Sequence, residues 1–507
     1  MNSIQTFSST EFGYTIALND PPLPHVGPIV EAFRILFGRP GGKLNLPEPW
    51  PTSAARQRVL LNLSDRASRR INEARIEFLV EEGLWLYRLG SRASGWGCVE
   101  AGVQRARVMV VRVREDSHYG EVLAEAEIRI SLARPWRNAT QIGNAAASLV
   151  REGCLSRSAG KPIPLRHLSV PKLTLQDRFY WAWRHFAPSL WDSVAWRFGF
   201  APRLQWTIGI LPALAVQSAW QFPWKRVTWL KAPEKGIIAD PFLVNEGGKH
   251  WLFYERMLFN ESKGTLWAGQ IDPHTGKLSA EREILNSPHH LSFPNVFKVD
   301  QHWYMLPEQG QSGGTKLYRA TNFPYIWEEY CDLLPNFPGI DPVLHQHDGK
   351  WWLFVTRDAA PCVDNNLHLF SSDTLDGDFS PHPMNPIKSG LFGSRMAGPI
   401  YKQGDSFIRP AQDGRRGYGY GVVLYKIQTL TVDSYDEQEM AAWQPERDGK
   451  FSHGFHAFHI CGDHLVIDGQ QLTYNSPKWY QHAAWLYTSP EIYDGPLFTI
   501  APIIAGA

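Results

Sequence analysis

The sequence predicts a mixed architecture: a small α/β domain over residues 1–165, an aromatic helical linker over 166–225, and an all-β five-bladed propeller over 226–507. A fivefold repeat carries the propeller. Between residues 236 and 470 one pattern recurs as ADPFLVNEGGKHWLFYE, FPNVFKVDQHWYMLPE, IDPVLHQHDGKWWLFVT, AGPIYKQGDSFIRPAQ and HAFHICGDHLVID. Each copy is a short apolar run, a polar turn and an aromatic-rich run, the form of a β-hairpin. Spacing is the second observation. Pro241, Pro294, Pro342 and Pro399, with Ala457 in the fifth copy, stand 53, 48, 57 and 58 residues apart. A period near fifty with a hairpin in every unit is the mark of propeller blades. Alternation of short strand-like and helix-like runs between residues 58 and 153 is the third, and it carries the α/β domain.

Bulk composition narrows the function classes. The chain has 507 residues, 43% hydrophobic and 20% charged, enough for two or three domains with large cores. Its 51 basic and 50 acidic residues nearly cancel, which removes any electrostatic case for a nucleic-acid partner. Five cysteines without a CxxC pair argue against a disulfide scaffold or a cysteine zinc site and fit a reducing compartment. The N-terminal run shows no secretory pattern, and no apolar stretch approaches the roughly 20 residues that cross a bilayer. A cytoplasmic location is the expectation, and the sequence does not specify an oligomeric state.

In the N-terminal domain RVLLNLS reads as a buried strand, SRRINEARIEFLVEEG as a helix and LWLYRLG as a strand. RARVMVVRVRE and EVLAEAEIRIS alternate like strands, and 138–153 reads as a helix. The order VLLNLS, GLWLYRLGSRASGWG, REDSHYGEVLAEAEIRIS and the helix after SLARPWRN resembles the catalytic half of the formyltransferase fold over about 100 residues. That family uses an Asn, a His and an Asp to transfer a formyl group. The resemblance carries over only the Asn, as Asn62; LYRLGSR holds no His, and His118 stands where the Asp is expected. Formyl transfer does not survive the loss of both proton-handling groups. A structural or interaction role is the expectation.

The segment TLQDRFYWAWRHFAPSLWDSVAWRFGF follows, an amphipathic helix or helix pair broken at Pro188. Two roles fit this Trp-rich helix: packing between domains, or peripheral contact with a membrane interface beside lipid-linked substrates. QWTIGIL (205–211) reads as a strand that closes the last blade with chain from both ends.

In a propeller the innermost strands line a central channel, so residues that open them converge on one mouth. The repeat places Asp240, Phe293, Asp341, Gly398 and His456 at equivalent positions. A second ring, from the ends of the following strands, holds Glu255, Glu308, Thr356 or Arg357, Gln412 and Asp468. Paired carboxylates, one protonated and one ionised, are what glycosidic chemistry needs. Asp240, Glu255, Glu308 and Asp341 are therefore the candidate catalytic residues. Arg357, Arg395, Arg409, Gln412, His456 and Asp468 are the candidates for substrate binding. For the arginines, an anionic part of a substrate and pairing with carboxylates inside the ring both fit. The histidines 453, 456, 459 and 464 do not share one face of a strand. A single His at the channel could help hold a calcium ion, and no other cofactor is indicated.

ADPF and GIDPVL resemble the five-bladed family 43 glycoside hydrolases, which implies Asp240 as base and Asp341 as the residue tuning the acid. That family's general acid is a Glu before Gly-Pro; the chain reads Met396-Ala397-Gly398-Pro399, with alanine in its place. A closer resemblance, over about 240 residues, is to the N-terminal propeller of plant glucosamine inositolphosphorylceramide transferases. It rests on ADPFL, LFYE, HLSFPNVF, PEQG, LYRATNFP, SRMAGP, RPAQD, YGYG and VIDG. In the plant enzymes transfer is assigned to a separate C-terminal glycosyltransferase domain that has no counterpart in these motifs. The resemblance implies a sugar or glycolipid substrate in surface glycan or glycolipid assembly. Three readings stay open: glycosyl transfer in the channel, a non-catalytic glycan-binding or scaffold protein, and a glycoside hydrolase.

Overall fold

The computed structural model describes residues 203–473, apart from 217–220, 260, 262, 358–364 and 447, together with the strands and short segments named below within residues 4–184. The chain divides into two compact units, Met1–Ala195 and Trp196–Ala507.

The first unit holds a hairpin, Ile4–Ser9 with Tyr14–Asn19, and one antiparallel sheet. The sheet runs in the order Trp85–Arg88, Ala74–Glu82, Arg105–Arg114, Tyr119–Arg129 and Lys161–Pro164. Leu79, Met109, Val111, Val113 and Val122 pack together in its core. The stretch expected as a helix over SRRINEARIEFLVEEG instead carries the strand Ala74–Glu82. Cross-strand pairing accounts for the difference. Arg107 bridges Glu81 on one side and Glu125 on the other, and Arg112 meets Glu121 at 3.2 Å. Opposite charges in register across three strands outweigh the local helix preference of a run rich in Glu, Ala and Arg. Asn62 and His118 lie outside the described residues, as does most of 138–153. In the aromatic segment the described helical residues include Phe179, Tyr180 and Trp183, each more than half exposed. No helix among the described residues is long and apolar enough to cross a membrane.

The second unit is a β-propeller of five antiparallel sheets. The first blade runs Gly236–Glu246, Lys249–Leu258, Thr265–Asp272 and Lys277–Leu285; the second Ser292–Val299, His302–Glu308, Thr315–Asn322 and Ile326–Leu334. The third begins with Gly339–His347, Lys350–Arg357 and Asn366–Ser372; the fourth with Phe392–Met396, Ser406–Asp413, Gly421–Leu430 and Tyr435–Trp443. The last combines Phe458–Cys461 and His464–Thr473 with Arg203–Pro212 and Thr228–Trp229, so chain from both ends of the unit shares one sheet. First strands of successive blades lie side by side, and the last blade returns to Gly236–Glu246. Blades four and five are stitched by Phe458 N donating to Ala397 O at 2.7 Å. A Cβ on Gly398 would stand 2.0 Å from the Phe458 carbonyl oxygen, so only glycine permits this approach.

Most of the core lies between blades rather than at the centre. Phe242, Phe253, Phe293, Trp303 and Met305 belong to one buried cluster; Leu306, Trp351, Leu353 and Phe370 to the next. Trp303, Trp327, Trp351, Trp352 and Trp443 are all buried, so packing consumes much of the tryptophan content of this unit.

Candidate functional site

Three blades open with the same irregularity, and in two of them it brings an aspartate into the acid cluster while in the other it seats Phe293 in the core between blades. Pairing with the second strand skips from Ala239 to Phe242, from Ser292 to Asn295 and from Ile340 to Val343. Two residues face one at each skip, which defines a β-bulge. The residue before each proline, Asp240, Phe293 or Asp341, has positive φ (51°, 47° and 46°). A non-glycine residue there is strained by on the order of 1–3 kcal/mol and persists only where the surroundings impose it. The bulge also removes the proline, which has no N–H, from the hydrogen-bond ladder. The same register holds for the second strand: Glu255, Glu308 and Thr356 pair with Ala239, Ser292 and Ile340, each one residue before the bulge.

Asp240, Asp341 and Asp468 are buried, at 6%, 1% and 0% exposure. Asp468 Oδ1 accepts from the backbone N–H groups of His456 and Ala457 at 2.9 and 3.0 Å. Its Oδ2 lies 2.5 Å from His456 Nδ1, close but off the line of the ring N–H, so the contact acts mainly as an ion pair. His456 Nε2 faces Asp240 Oδ1 at 3.7 Å, and Asp240 Oδ2 accepts from Phe293 N at 3.3 Å. The imidazole is stacked on Trp206 with centroids 4.1 Å apart. Burial pulls the His456 pKa down, but Asp468 and then Asp240 outweigh it and raise it to about 9. His456 is thus an imidazolium held between two carboxylates.

A second group surrounds Asp341. Arg395 Nε donates to Asp341 Oδ2 at 2.5 Å, and Arg395 Nη2 reaches Asp341 Oδ1 and Glu308 Oε2, both at 3.3 Å. Gln412 Nε2 donates to Asp341 Oδ2 at 2.8 Å and to Met396 O at 2.9 Å. Burial, opposed by Arg395 and reinforced by Glu308, pushes Asp341 up to about 7. Asp240 also rises to about 7, by burial against the pull of His456, with Asp341 and Asp468 adding repulsion. Glu255 stands well above the usual carboxylate range, through burial first and then repulsion from Asp240 and Glu308. The mutual repulsion of these acids places them within one electrostatic neighbourhood.

Two residues missed in the sequence complete the site. His290, in the loop before the second blade, accepts from Gly264 N through Nδ1 at 2.9 Å and turns Nε2 toward Glu255 Oε1 at 3.6 Å. Burial holds its pKa near 4, so the ring is neutral with its proton on Nε2, facing Glu255. A Cβ on Gly264 would sit 2.3 Å from Glu255 Oε1 and 2.8 Å from Leu291 O, which is why glycine occupies that position. Tyr418, in a loop of the fourth blade and 41% exposed, lies edge-on to His456 at 5.4 Å and 5.1 Å from the Arg395 guanidinium. Neither loop residue belongs to the repeat, so the repeat alignment carried no signal for them.

One predicted substrate-binding residue is corrected. Arg409, fully buried, is gripped by Glu437 through Nε at 2.7 Å and Nη2 at 2.6 Å and also donates to Gly393 O. It lies inside the fourth blade with no charge left for a ligand. Arg357 is exposed, its guanidinium 5.6 Å from the Phe337 ring, and it makes no ion pair among the described residues. Arg395 does reach the centre, but Asp341 and Glu308 neutralise it.

Asp240, His456 and Asp468 offer ligand atoms all within 4.8 Å of one another. Calcium takes six to eight oxygen ligands. Two carboxylates and an imidazole that is already protonated fit calcium poorly, because His456 supplies the balancing charge itself. The other histidines serve elsewhere: His459 Nδ1 accepts from Leu243 N at 3.1 Å, joining the last blade to the first, and His464 lies at a hairpin turn.

The pH dependence of stability follows. The folded pKa of His456 lies above its unfolded value, so its contribution is complete below about pH 6.5 and is lost as pH rises through about 9. Asp240 and Asp341, raised to about 7, also favour the folded state at lower pH and lose that contribution between about pH 4 and 7. Thermal unfolding between pH 7 and 9 is therefore expected to show falling stability, by up to about 1.4 kcal/mol per pH unit for each proton involved. His456→Gln is expected to flatten that slope; an unchanged slope would contradict the imidazolium assignment.

A propeller with buried carboxylates drawn from several blades to its centre is the class that fold and site define. Residues 227–476 match the family model described as Glucosamine inositolphosphorylceramide transferase 1, N-terminal, and the propeller is similar to that family. The chain is similar to glucosamine inositolphosphorylceramide transferase 1 of Oryza sativa subsp. japonica, 34% identical over 205 residues, covering 40% of this chain and 27% of the relative. The Arabidopsis thaliana protein of that name is 29% identical over 250 residues, covering 47% and 32%. The chain thus spans about a quarter to a third of the length of these curated relatives. Among solved structures it is similar to Zg3597, a family 117 glycoside hydrolase of Zobellia galactanivorans (11% identity, 53% of this chain, 90% of that chain, TM-score 0.34). Another is the α-L-arabinofuranosidase PaAbf62A of Podospora anserina (14%, 45%, 78%, TM-score 0.35).

Proposed function

We propose that the propeller is carbohydrate-active and that its centre binds an amine-bearing sugar for glycosyl transfer. The observation that carries this reading is the convergence of Asp240, Glu255, Glu308 and Asp341, of which Asp240, Glu255 and Asp341 are buried with their proton affinities raised. Glu255, its proton affinity raised by burial, is placed to give a proton to a leaving oxygen; Asp240, with its pKa raised to about 7, is placed to take a proton from an acceptor hydroxyl. Arg395 and Gln412 fix Asp341, which tunes the pair. Charge selects the sugar. Five carboxylates face two cations, Arg395 and His456, and both cations are already paired, so an ammonium group is favoured over a carboxylate or phosphate. The relatives' name includes glucosamine, a sugar of that class.

A non-catalytic glycan-binding role is the second reading, and Ala397 favours it. The backbone of Ala397 is committed to Pro410 and Phe458, and its methyl offers no proton where family 43 hydrolases place their acid. The same substitution counts against plain hydrolysis. Calorimetry with glucosamine, glucose and glucuronate at pH 7 tests the binding claim that the two readings share. Glucosamine is expected to bind at least tenfold more tightly than glucose, with glucuronate weakest; the reverse order, or no binding by any of the three, would overturn it.

A further inference from the structure

Away from the acids, three histidines from three hairpin turns meet on the seam between the first and last blades. His250 follows the Gly247–Gly248 turn, His274 lies in the turn after Thr265–Asp272, and His464 opens His464–Thr473. The His464 ring sits between the other two, 5.2 Å from His250 and 6.0 Å from His274 by centroid, edge-to-face with each. Three tight turns hold their backbones in place. Asp272 accepts from His274 N and from the Thr275 hydroxyl, Ala213 N donates to Asp463 O at 2.8 Å, and Gly247, Gly248 and Gly462 adopt positive φ.

The rings have no other task. Among the described residues no hydrogen bond or ion pair engages a ring nitrogen of His250, His274 or His464. His290, His382 and His459 each have a defined partner. Three imidazoles without partners, side by side, are an unusual use of a residue that usually secures one of its nitrogens.

We propose that His250, His274 and His464 form a binding site for a divalent transition metal of the zinc type, which clamps the seam where the ring closes. Zinc–nitrogen bonds of about 2.0–2.1 Å put each ring centre about 3.2 Å from the ion, and tetrahedral angles then separate ring centres by about 5.2 Å. The His250–His464 spacing of 5.2 Å equals that value, the His274–His464 spacing of 6.0 Å exceeds it, and rotation of the exposed His274 side chain is what closes the set. Three neutral nitrogen donors select zinc, nickel, cobalt or copper over calcium or magnesium. Water or the neighbouring Asp463 carboxylate takes the fourth position. His250 and His274 belong to the first blade and His464 to the last, so the ion ties together two sheets that are far apart in sequence. Binding to the folded state alone then raises stability in proportion to occupancy.

The test is calorimetric titration of zinc chloride into the untagged full chain, stripped beforehand with a chelator, together with thermal unfolding. One zinc per chain at micromolar affinity is expected, with a rise in Tm that the chelator reverses. His274→Ala, in an exposed turn where folding is unaffected, is expected to weaken binding at least tenfold and to abolish most of the Tm rise. His274→Ala combined with His464→Ala is expected to remove the site. Zinc binding undiminished in the double variant, or no binding by the parent chain at millimolar zinc, overturns the proposal.

Discussion

Glu437→Ala is expected to destabilise the propeller by about 3–5 kcal/mol, the cost of leaving a buried charge without its partner. Arg409 is fully buried, and both of its contacts to Glu437 are short, at 2.6 and 2.7 Å. Lys388 Nζ and the Tyr435 hydroxyl also meet the same carboxylate, at 2.8 and 2.6 Å. Burial opposes ionisation of Glu437, but Arg409 and Lys388 prevail and hold its pKa near 2. Its contribution is therefore complete above about pH 4.5 and is lost as pH falls toward 2. Removing both charges with Arg409→Met and Glu437→Leu avoids the orphaned cation and is expected to cost much less than the single change. Denaturant unfolding of the two variants beside the parent chain decides the matter. A double variant as unstable as Glu437→Ala would mean that packing, not charge, dominates.

Asp240→Asn is expected to reduce glycosyl turnover by about 10²- to 10⁴-fold, the usual contribution of a positioned acid–base group. The amide keeps an oxygen to accept from Phe293 N, so the bulge is expected to survive. It also removes one of the crowded carboxylates, and stability above pH 7 is expected to hold or rise. The comparison uses sugar release from nucleotide-linked and aryl glucosaminides, with circular dichroism as the control for folding. Turnover unchanged in Asp240→Asn would dismiss that residue as the base. Absence of turnover in the parent chain, with sugar binding retained, would move the function to the glycan-binding reading.

The residues differ in how far the sequence alone could place them. Asp240 and Asp341 were legible because a repeat that builds equivalent strands also builds equivalent bulges, and Asp-Pro marks both. Glu255, Glu308, Gln412 and Asp468 were legible by the same register, one strand further on. Arg409 was misread, although a signal existed: along Ser406–Asp413, residues 409 and 412 differ in parity, so a strand sends them to opposite faces. Its partner Glu437 lies 28 residues away on the fourth strand of the blade, a pairing fixed only by sheet order. His290 and Tyr418 sit in loops outside the repeat register, and their signal lay instead in the motifs HLSFPNVF and YGYG that carry the resemblance. The strand Ala74–Glu82 was read as a helix because its residue types favour helix, while the arginines that settle the matter, Arg107 and Arg112, come from the adjacent strand.

The most direct test of the central claim is a crystal structure of the full chain soaked with glucosamine at neutral pH. The acid cluster predicts the sugar at the ring centre, its ammonium group facing Glu308 or Asp240 and a hydroxyl within hydrogen-bond distance of Glu255. Glucosamine bound only on an outer face, with the five acids closed on one another, would contradict it.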